Sequence, residues 1–169
     1  MVLRDMNQKR DWQPREQRLV SEFLFKEYPT TPYMTRVRLG SYAADLDPVH
    51  LAAAEVRMLS VRKRWADALI LLPDKTIIVE GAIRSDPGDI SKLEIYARLF
   101  IKTPEFKDRW TKPLELMLVY AIEDPVAVEL AREKGIRCVP FHPDWIDDYL
   151  RLLAGRERRA PKAAQLGGP

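Results

Sequence analysis

The sequence has little of the residue types that build disulfides and zinc sites. It contains one cysteine, Cys138, and two histidines, His50 and His142. A lone cysteine excludes an intrachain disulfide and fits a reducing compartment, and this set is too small for the usual Cys/His zinc clusters. No apolar run approaches the roughly 20 residues of a membrane span, and the first residues (MVLRDMNQKRDWQPR) lack a signal-peptide core. These absences favour a cytoplasmic location and predict no membrane partner.

What is present is the composition of an ordinary globular protein. Of the 169 residues, 46% are hydrophobic and 31% are charged, which suffices for one domain with a proper core. We expect this domain over residues 1–154 and a basic tail over residues 155–169. A stretch without any acid carries four basic residues: Arg57, Arg62, Lys63 and Arg64. Such a cluster can neutralise DNA phosphates, although a solvated surface is the alternative.

Hydrophobic periodicity predicts a chain in which helices alternate with strands. The expected order is helix, strand, helix, strand, strand, helix, strand, helix, strand, helix, with the second helix over residues 48–59. Asp89 is expected to cap a helix that runs over residues 90–102. Several of the strands are apolar on both faces, which is typical of the middle of a covered sheet. The pattern therefore predicts an α/β fold, in which an α/β/α sandwich surrounds a central mixed sheet.

The most informative segment is a hairpin over residues 64–84, RWADALILLPDKTIIVEGAIR. If Pro73-Asp74 is a two-residue turn, Asp67 lies directly across from Glu80, and a four-residue loop still leaves both on one face. Like charges that face each other across a ladder are destabilising. The two acids could simply mark the solvated ends of buried strands. A buried pair would instead need a positive partner, and its oxygens suit magnesium or manganese.

These residues resemble the PD-(D/E)XK nuclease superfamily over roughly residues 14–141. Asp67, in Trp65-Ala66-Asp67, matches the acid that opens the second core strand, and Glu80 matches the acid of the D/E-x-K motif. Residues 92–96 (KLEIY) resemble the Q-x-x-x-Y helix motif of the RecB-like and Cas4-like branches, with lysine in place of glutamine. The resemblance implies a restriction-endonuclease-like core around the mixed sheet.

The resemblance also implies a set of site residues. Asp67, Glu80 and the backbone carbonyl of Gly81 would bind the metal ion, Mg²⁺ or Mn²⁺. An additional acid on the first helix would be Glu22, with Glu16 as the competitor. Arg57, Arg62, Lys63 and Arg64 would hold the DNA backbone.

The sequence departs from the family pattern at Ala82, where the motif lysine is expected. Lys92, one helix later, could reach back into the site as its substitute, with Tyr96 on the same helix face. Arg84 could stabilise negative charge, but it would remain protonated and make a poor base. A migrated lysine and a site without catalysis therefore both stay open.

Two functions follow from this resemblance. The first is a magnesium-dependent deoxyribonuclease that hydrolyses DNA phosphodiesters with little sequence specificity, because nothing in the sequence indicates a reader of base edges. The second is an inactive nuclease-fold component of a larger assembly, such as a phage head–tail connector or packaging machine. DNA is the expected partner in both, a homo-oligomer is conceivable, and the second would be found in the phage particle.

Overall fold

The structure is a computed structural model that describes residues 15–40 and 64–159, with side chains up to residue 155. Its strands are β1 (Tyr33–Leu39), β2 (Arg64–Leu71), β3 (Thr76–Arg84), β4 (Leu114–Ile122) and β5 (Arg137–Pro140). Its helices are α1 (Arg15–Glu27), α2 (Pro87–Phe100), α3 (Pro125–Glu133) and α4 (Trp145–Arg159), with a 3₁₀ helix at Pro104–Arg109. None of the helices in these two segments has the length and apolar character to span a bilayer.

The predicted order of elements is confirmed over the described residues. The helix predicted over residues 48–59 lies outside them, as do His50, Arg57, Arg62, Lys63 and most of the predicted basic tail. The 3₁₀ helix between α2 and β4 was not predicted. Its first residue is Pro104, and Phe106 packs against Phe100 of α2 with ring centroids 5.4 Å apart.

The five described strands form one mixed sheet in the order β1-β2-β3-β4-β5. The first three strands pair antiparallel, and β3, β4 and β5 pair parallel, each parallel connection passing through a helix. In the β2–β3 hairpin Leu71 pairs with Thr76 and Ala68 pairs with Val79. This is the register that a two-residue Pro73-Asp74 turn requires. The strand order places the hairpin between β1 and β4, in the middle of the sheet.

Helices cover both faces of the sheet, so the predicted α/β/α sandwich is confirmed. On one face, side chains of α1 and α4 pack against alternate residues of the hairpin, namely Ala68, Ile70, Ile77 and Val79. On the other face, α2 and α3 pack against the intervening residues, including Leu69 and Ile78. Because both faces are covered, a polar side chain that projects from the middle of the sheet must either enter a cleft or be buried.

Helix α2 begins earlier than the sequence suggested. Asp86, not Asp89, is the N-cap: its side chain accepts from the Gly88 N–H, and Pro87 occupies the first turn. Proline fits there because it lacks an N–H and its φ is already near the helical value. Asp89 lies one turn inside the helix, where its Oδ2 accepts from the Asp86 N–H at 3.0 Å and completes a capping box. Asp89 therefore lies on the helix, and its other oxygen, Oδ1, can accept a hydrogen bond from a side chain of the site.

Candidate active site

Asp67 is held at the point where the β2–β3 ladder opens. Its Oδ2 accepts a hydrogen bond from the Gly81 N–H at 2.8 Å, and backbone pairing along the hairpin extends only to Ala68 opposite Val79. The carboxylate therefore takes a backbone donor that the ladder leaves open. Burial raises the pKa of Asp67, while the hydrogen bond from Gly81 and the charge of Lys92 oppose that rise.

Gly81 lets helix α1 approach the sheet closely beside this acid. A Cβ at position 81 would collide with the side chain of Val20 and would lie 3.2 Å from the backbone oxygen of Glu16. No larger residue fits there without moving α1. The absence of a side chain at Gly81 thus places the first turn of α1 at the rim of the site.

Glu80 is the most buried acid of the pair, with 5% of its surface exposed. Its Oε1 accepts from the Lys92 ammonium at 3.0 Å, whereas its Oε2 is buried and has no hydrogen-bond partner in the structure. Burial, together with the nearby charge of Asp67, raises the pKa of Glu80 to about 7. An unpartnered buried carboxylate oxygen is costly. Its position beside a second carboxylate marks a place where a cation would be stabilised.

Lys92 comes from helix α2 and contacts two acids at once. Its Nζ lies 3.0 Å from Oε1 of Glu80 and 2.9 Å from Oδ1 of Asp89. Burial lowers the pKa of Lys92, but the hydrogen bonds to Asp89 and Glu80 outweigh it, and the net pKa lies above the ordinary lysine value. The ammonium therefore stays charged at neutral pH.

These groups line one open cleft of about 420 Å³. Glu16 of α1 and Ala82 and Arg84 of β3 also line this cleft. Ala82 stands at the position of the lysine in the nuclease motif that the sequence resembles. Arg84 is exposed, so it can contact a substrate at the mouth of the cleft.

Tyr96 does not line the cleft, although its phenol interacts with the Glu80 carboxylate. It is buried on helix α2, and burial together with the Glu80 carboxylate raises the pKa of its phenol. The phenol remains protonated at neutral pH, so Tyr96 can donate a proton to a hydrogen bond but cannot act as a base there.

Glu22 is not part of this cleft, which corrects its expected role as the additional acid. Its two carboxylate oxygens accept from Arg18 Nε and from Trp145 Nε1, each at 2.8 Å. It lines a separate pocket with Lys26 and other residues of α1 and α4. The competing acid, Glu16, is the residue of α1 that the structure brings to the cleft.

Of the four basic residues predicted to contact DNA, only Arg64 lies in the part of the chain that the structure describes. Arg64 opens β2 and is exposed. Arg57, Arg62 and Lys63 lie in the part of the chain that the structure leaves out.

Asp89 is a site residue that sequence reasoning missed. It is 4% exposed and holds both Lys92 and the backbone at the start of α2. The spacing from Asp89 to Lys92 is i to i+3, which brings two side chains together on a helix. That spacing could have indicated from the sequence that Asp89 contacts Lys92.

The donor set for a metal ion is small. In residues 15–40 and 64–159, no group of three or more His, Cys, Asp and Glu side chains is arranged to hold one. Two carboxylates, from Asp67 and Glu80, remain, together with backbone oxygens at the opened end of the hairpin. Oxygen-only donors of this kind suit Mg²⁺, which keeps several of its own waters and needs only one or two carboxylates.

Neither a protein-family model nor a curated protein matches the sequence. Among solved structures, the chain is similar to a repair endonuclease from Pyrococcus abyssi, with a TM-score of 0.47 and 12% sequence identity. The similarity covers 78% of this chain and 49% of that chain. It is also similar to EndoMS in a complex with dsDNA, with a TM-score of 0.45 and 12% sequence identity. That similarity covers 78% of this chain and 46% of the EndoMS chain. The chain thus spans about half the length of these proteins.

Proposed function

We propose that the cleft binds one magnesium or manganese ion through Asp67, Glu80 and the Gly81 carbonyl, and that the protein hydrolyses DNA phosphodiesters with little sequence specificity. The observation that supports this most directly is the buried Oε2 of Glu80, which lacks a hydrogen-bond partner close to a second desolvated carboxylate. Such an ion would supply Lewis-acid polarisation of a phosphate oxygen and activation of water.

Gly81 contributes through its backbone. A strand residue presents its N–H and its C=O to the same neighbouring strand in an antiparallel pair. Since the Gly81 N–H donates to Asp67, the Gly81 carbonyl faces β2 as well. The carbonyl is therefore on the side of the acids that the metal would share.

Lys92 replaces the lysine that the motif would have at position 82, and it does so as a fixed positive charge. Asp89 and Glu80 hold its Nζ in place, and the hydrogen bonds that they accept keep it protonated. A protonated ammonium is a poor base but stabilises the negative charge that develops on a phosphate in the transition state. We therefore assign Lys92 to charge stabilisation rather than to proton abstraction from water.

One observation favours a second function, an inactive nuclease-fold component of a larger assembly. With Ala82 on the strand, the Lys92 ammonium already lies between two acids and neutralises part of their charge. In this alternative it is a permanent internal cation that replaces a metal, and the basic residues near Arg64 contact DNA without cleaving it. A phage connector or packaging machine is one such assembly.

Cleavage assays separate the two functions. Supercoiled plasmid and single-stranded DNA are incubated with the wild type, Asp67→Asn and Lys92→Met, with Mg²⁺, Mn²⁺ or EDTA. We expect metal-dependent cleavage by the wild type and a loss of at least about 100-fold in both variants, the size typical of removing one charge-stabilising group. Lys134→Met is the matched control, because the Lys134 Nζ also contacts a glutamate, Glu94, at 2.7 Å but away from the cleft.

The results are decisive in either direction. Cleavage that Asp67→Asn abolishes and Lys134→Met retains excludes the inactive alternative. If the wild type cleaves neither DNA and its melting temperature does not change with Mg²⁺, the hydrolase proposal is wrong.

A further inference from the structure

Beside the cleft, the sheet exposes a tryptophan between arginines. Trp65, near the start of β2, is a large aromatic residue that is 54% exposed. Its ring lies 5.7 Å from the guanidinium carbon of Arg38 and 5.9 Å from that of Arg36. Both arginines are on β1, the outermost of the described strands on that side of the sheet. Arg38 is also its cross-strand partner. We call Arg36, Arg38 and Trp65 the Trp65 patch.

The patch adjoins the candidate active site. Trp65 precedes Asp67 by two residues on β2, which is about 7 Å along a strand. Arg36 lies between the pairs Thr35–Ala68 and Val37–Ala66, and so across the ladder from Asp67. A strand of DNA that places a phosphate at the acids would therefore have its neighbouring nucleotides at the patch.

The charge of the patch limits what can occupy it. Arg36 and Arg38 lie beside Trp65, and residues 33–39 contain no acid. A second copy of the chain docked on the same face would bring like charges together, which is unfavourable. A polyanion is complementary to the same surface, because guanidinium groups bind phosphates and gain from counterion release.

The exposed ring decides which form of polyanion fits best. In a duplex the bases are stacked on one another and offer no free face to an indole, whereas an unpaired base can stack on an aromatic side chain between cations. Building on the proposed function, we propose that the Trp65 patch binds single-stranded DNA next to the cleavage site, with one unpaired base stacked on Trp65 and flanking phosphates on Arg36 and Arg38. The substrate class is then DNA with a single-stranded segment, as an end, a gap or a branch.

Binding is measured by fluorescence anisotropy with a labelled 20-nucleotide oligo-dT and with a blunt duplex of the same length, once in EDTA and once in Ca²⁺. Trp65→Ala should weaken oligo-dT binding about 10-fold, in the range of one lost base–aromatic stack, and change duplex binding less than 3-fold. Trp65→Phe should retain most of the affinity. Arg36→Ala should lower the dependence of log K on log salt by roughly 0.7 on the single strand.

Phe25→Ala is the matched control, because Phe25 is a 76% exposed aromatic on α1 and should leave oligo-dT binding unchanged. Thermal unfolding of each variant tests the fold, and Trp65→Phe keeps the result interpretable if Trp65→Ala unfolds. Unchanged oligo-dT binding in Trp65→Ala, or an equal loss on the blunt duplex, overturns the proposal. So does a dimer that Trp65→Ala dissociates while oligo-dT binding persists.

The two proposals can fail separately. Cleavage by a wild type whose oligo-dT affinity does not depend on Trp65 leaves hydrolysis intact and removes the patch. Affinity that depends on Trp65 in a protein that cleaves nothing supports the patch and removes hydrolysis.

Discussion

Lys92 Nζ lies 3.0 Å from Oε1 of Glu80, although the lysine is on helix α2 and the glutamate is on strand β3. The contact depends on how α2 crosses the sheet after the Asp86 cap. In the nuclease motif that the sequence resembles, the lysine and the glutamate share one strand, whereas here that strand position holds Ala82. The positive charge therefore reaches the acids from the layer above the sheet, and its position depends on the first turn of the helix.

This dependence on the first turn leads to a prediction about the two acids of the capping box, Asp86 and Asp89. Asp86→Ala and Asp89→Ala each remove one hydrogen bond of the capping box, so each should lower the free energy of unfolding by about 1 kcal/mol. Only Asp89→Ala also removes a hydrogen bond to Lys92. We expect Asp89→Ala to lower kcat for DNA cleavage about 10-fold or more, and Asp86→Ala to lower it less than 3-fold. Urea unfolding and steady-state cleavage measure the two effects.

Equal loss of kcat in the two variants would show that helix capping alone accounts for the effect. The role of Asp89 in positioning Lys92 would then be excluded. Asp89→Asn is a further check, because its amide oxygen can still accept from Lys92 and should restore part of the activity.

Metal binding predicts a stabilisation that depends on both acids. Mg²⁺ at 100 times its dissociation constant should raise the free energy of unfolding of the wild type by about 2.7 kcal/mol, and EDTA should reverse this. Asp67→Asn and Glu80→Gln should lose the effect, since each removes a charged ligand. Glu115→Gln is the control, because Glu115 pairs with Lys75 away from the cleft. A Mg²⁺ effect that survives in Glu80→Gln would exclude Glu80 as a ligand.

In the metal-free protein, Glu80 should make stability fall with rising pH. Its pKa in the folded state is about 7, above the ordinary value of 4.5, because it is buried beside Asp67. Between these two pH values the folded state holds a proton that the unfolded state releases, so this stabilising contribution is complete below pH 4.5 and is lost as the pH rises to 7. Glu80→Gln should flatten the decline and be more stable than the wild type at pH 8, by up to about 3 kcal/mol.

Denaturant unfolding in EDTA from pH 4.5 to 8 measures this profile. The raised pKa of Asp67 adds to the decline in the same direction, so Asp67→Asn should flatten it in part. A profile of Glu80→Gln that is parallel to that of the wild type would contradict the prediction.

The fold and the two acids could be predicted from the sequence because local rules determine them. A two-residue turn and the alternation of strand side chains are enough to place Asp67 opposite Glu80 in the hairpin register. Apolar residues on both faces of the hairpin likewise indicate a covered sheet. These features involve neighbours in sequence, and no knowledge of tertiary packing is needed.

The remaining site residues depend on how helices are rotated against the sheet. Glu16 and Val20 share a face of α1, and the close contact at Gly81 turns that face toward the cleft. Glu22 is six residues after Glu16, about a third of a turn away from that face, so it contacts Trp145 instead. The sequence pattern of α1 offers both acids, and only the packing of the helix chooses between them.

Gly81 provides the last prediction, because it sets the distance between α1 and the acids. Gly81→Ala should push α1 away through Val20 and the Glu16 backbone and lower the free energy of unfolding by about 1–3 kcal/mol. It should also weaken the Mg²⁺ effect on stability, because a backbone shift at position 81 would displace the N–H that holds Asp67, and the added Cβ would lie 3.5 Å from Oδ2 of Asp67. Gly155→Ala is the control: a Cβ there meets nothing within 4 Å, and alanine in helix α4 should be neutral or stabilising by up to about 1 kcal/mol. Thermal and urea unfolding with and without Mg²⁺ test both variants, and a Gly81→Ala protein as stable as the wild type would show that α1 can move away from the sheet without cost.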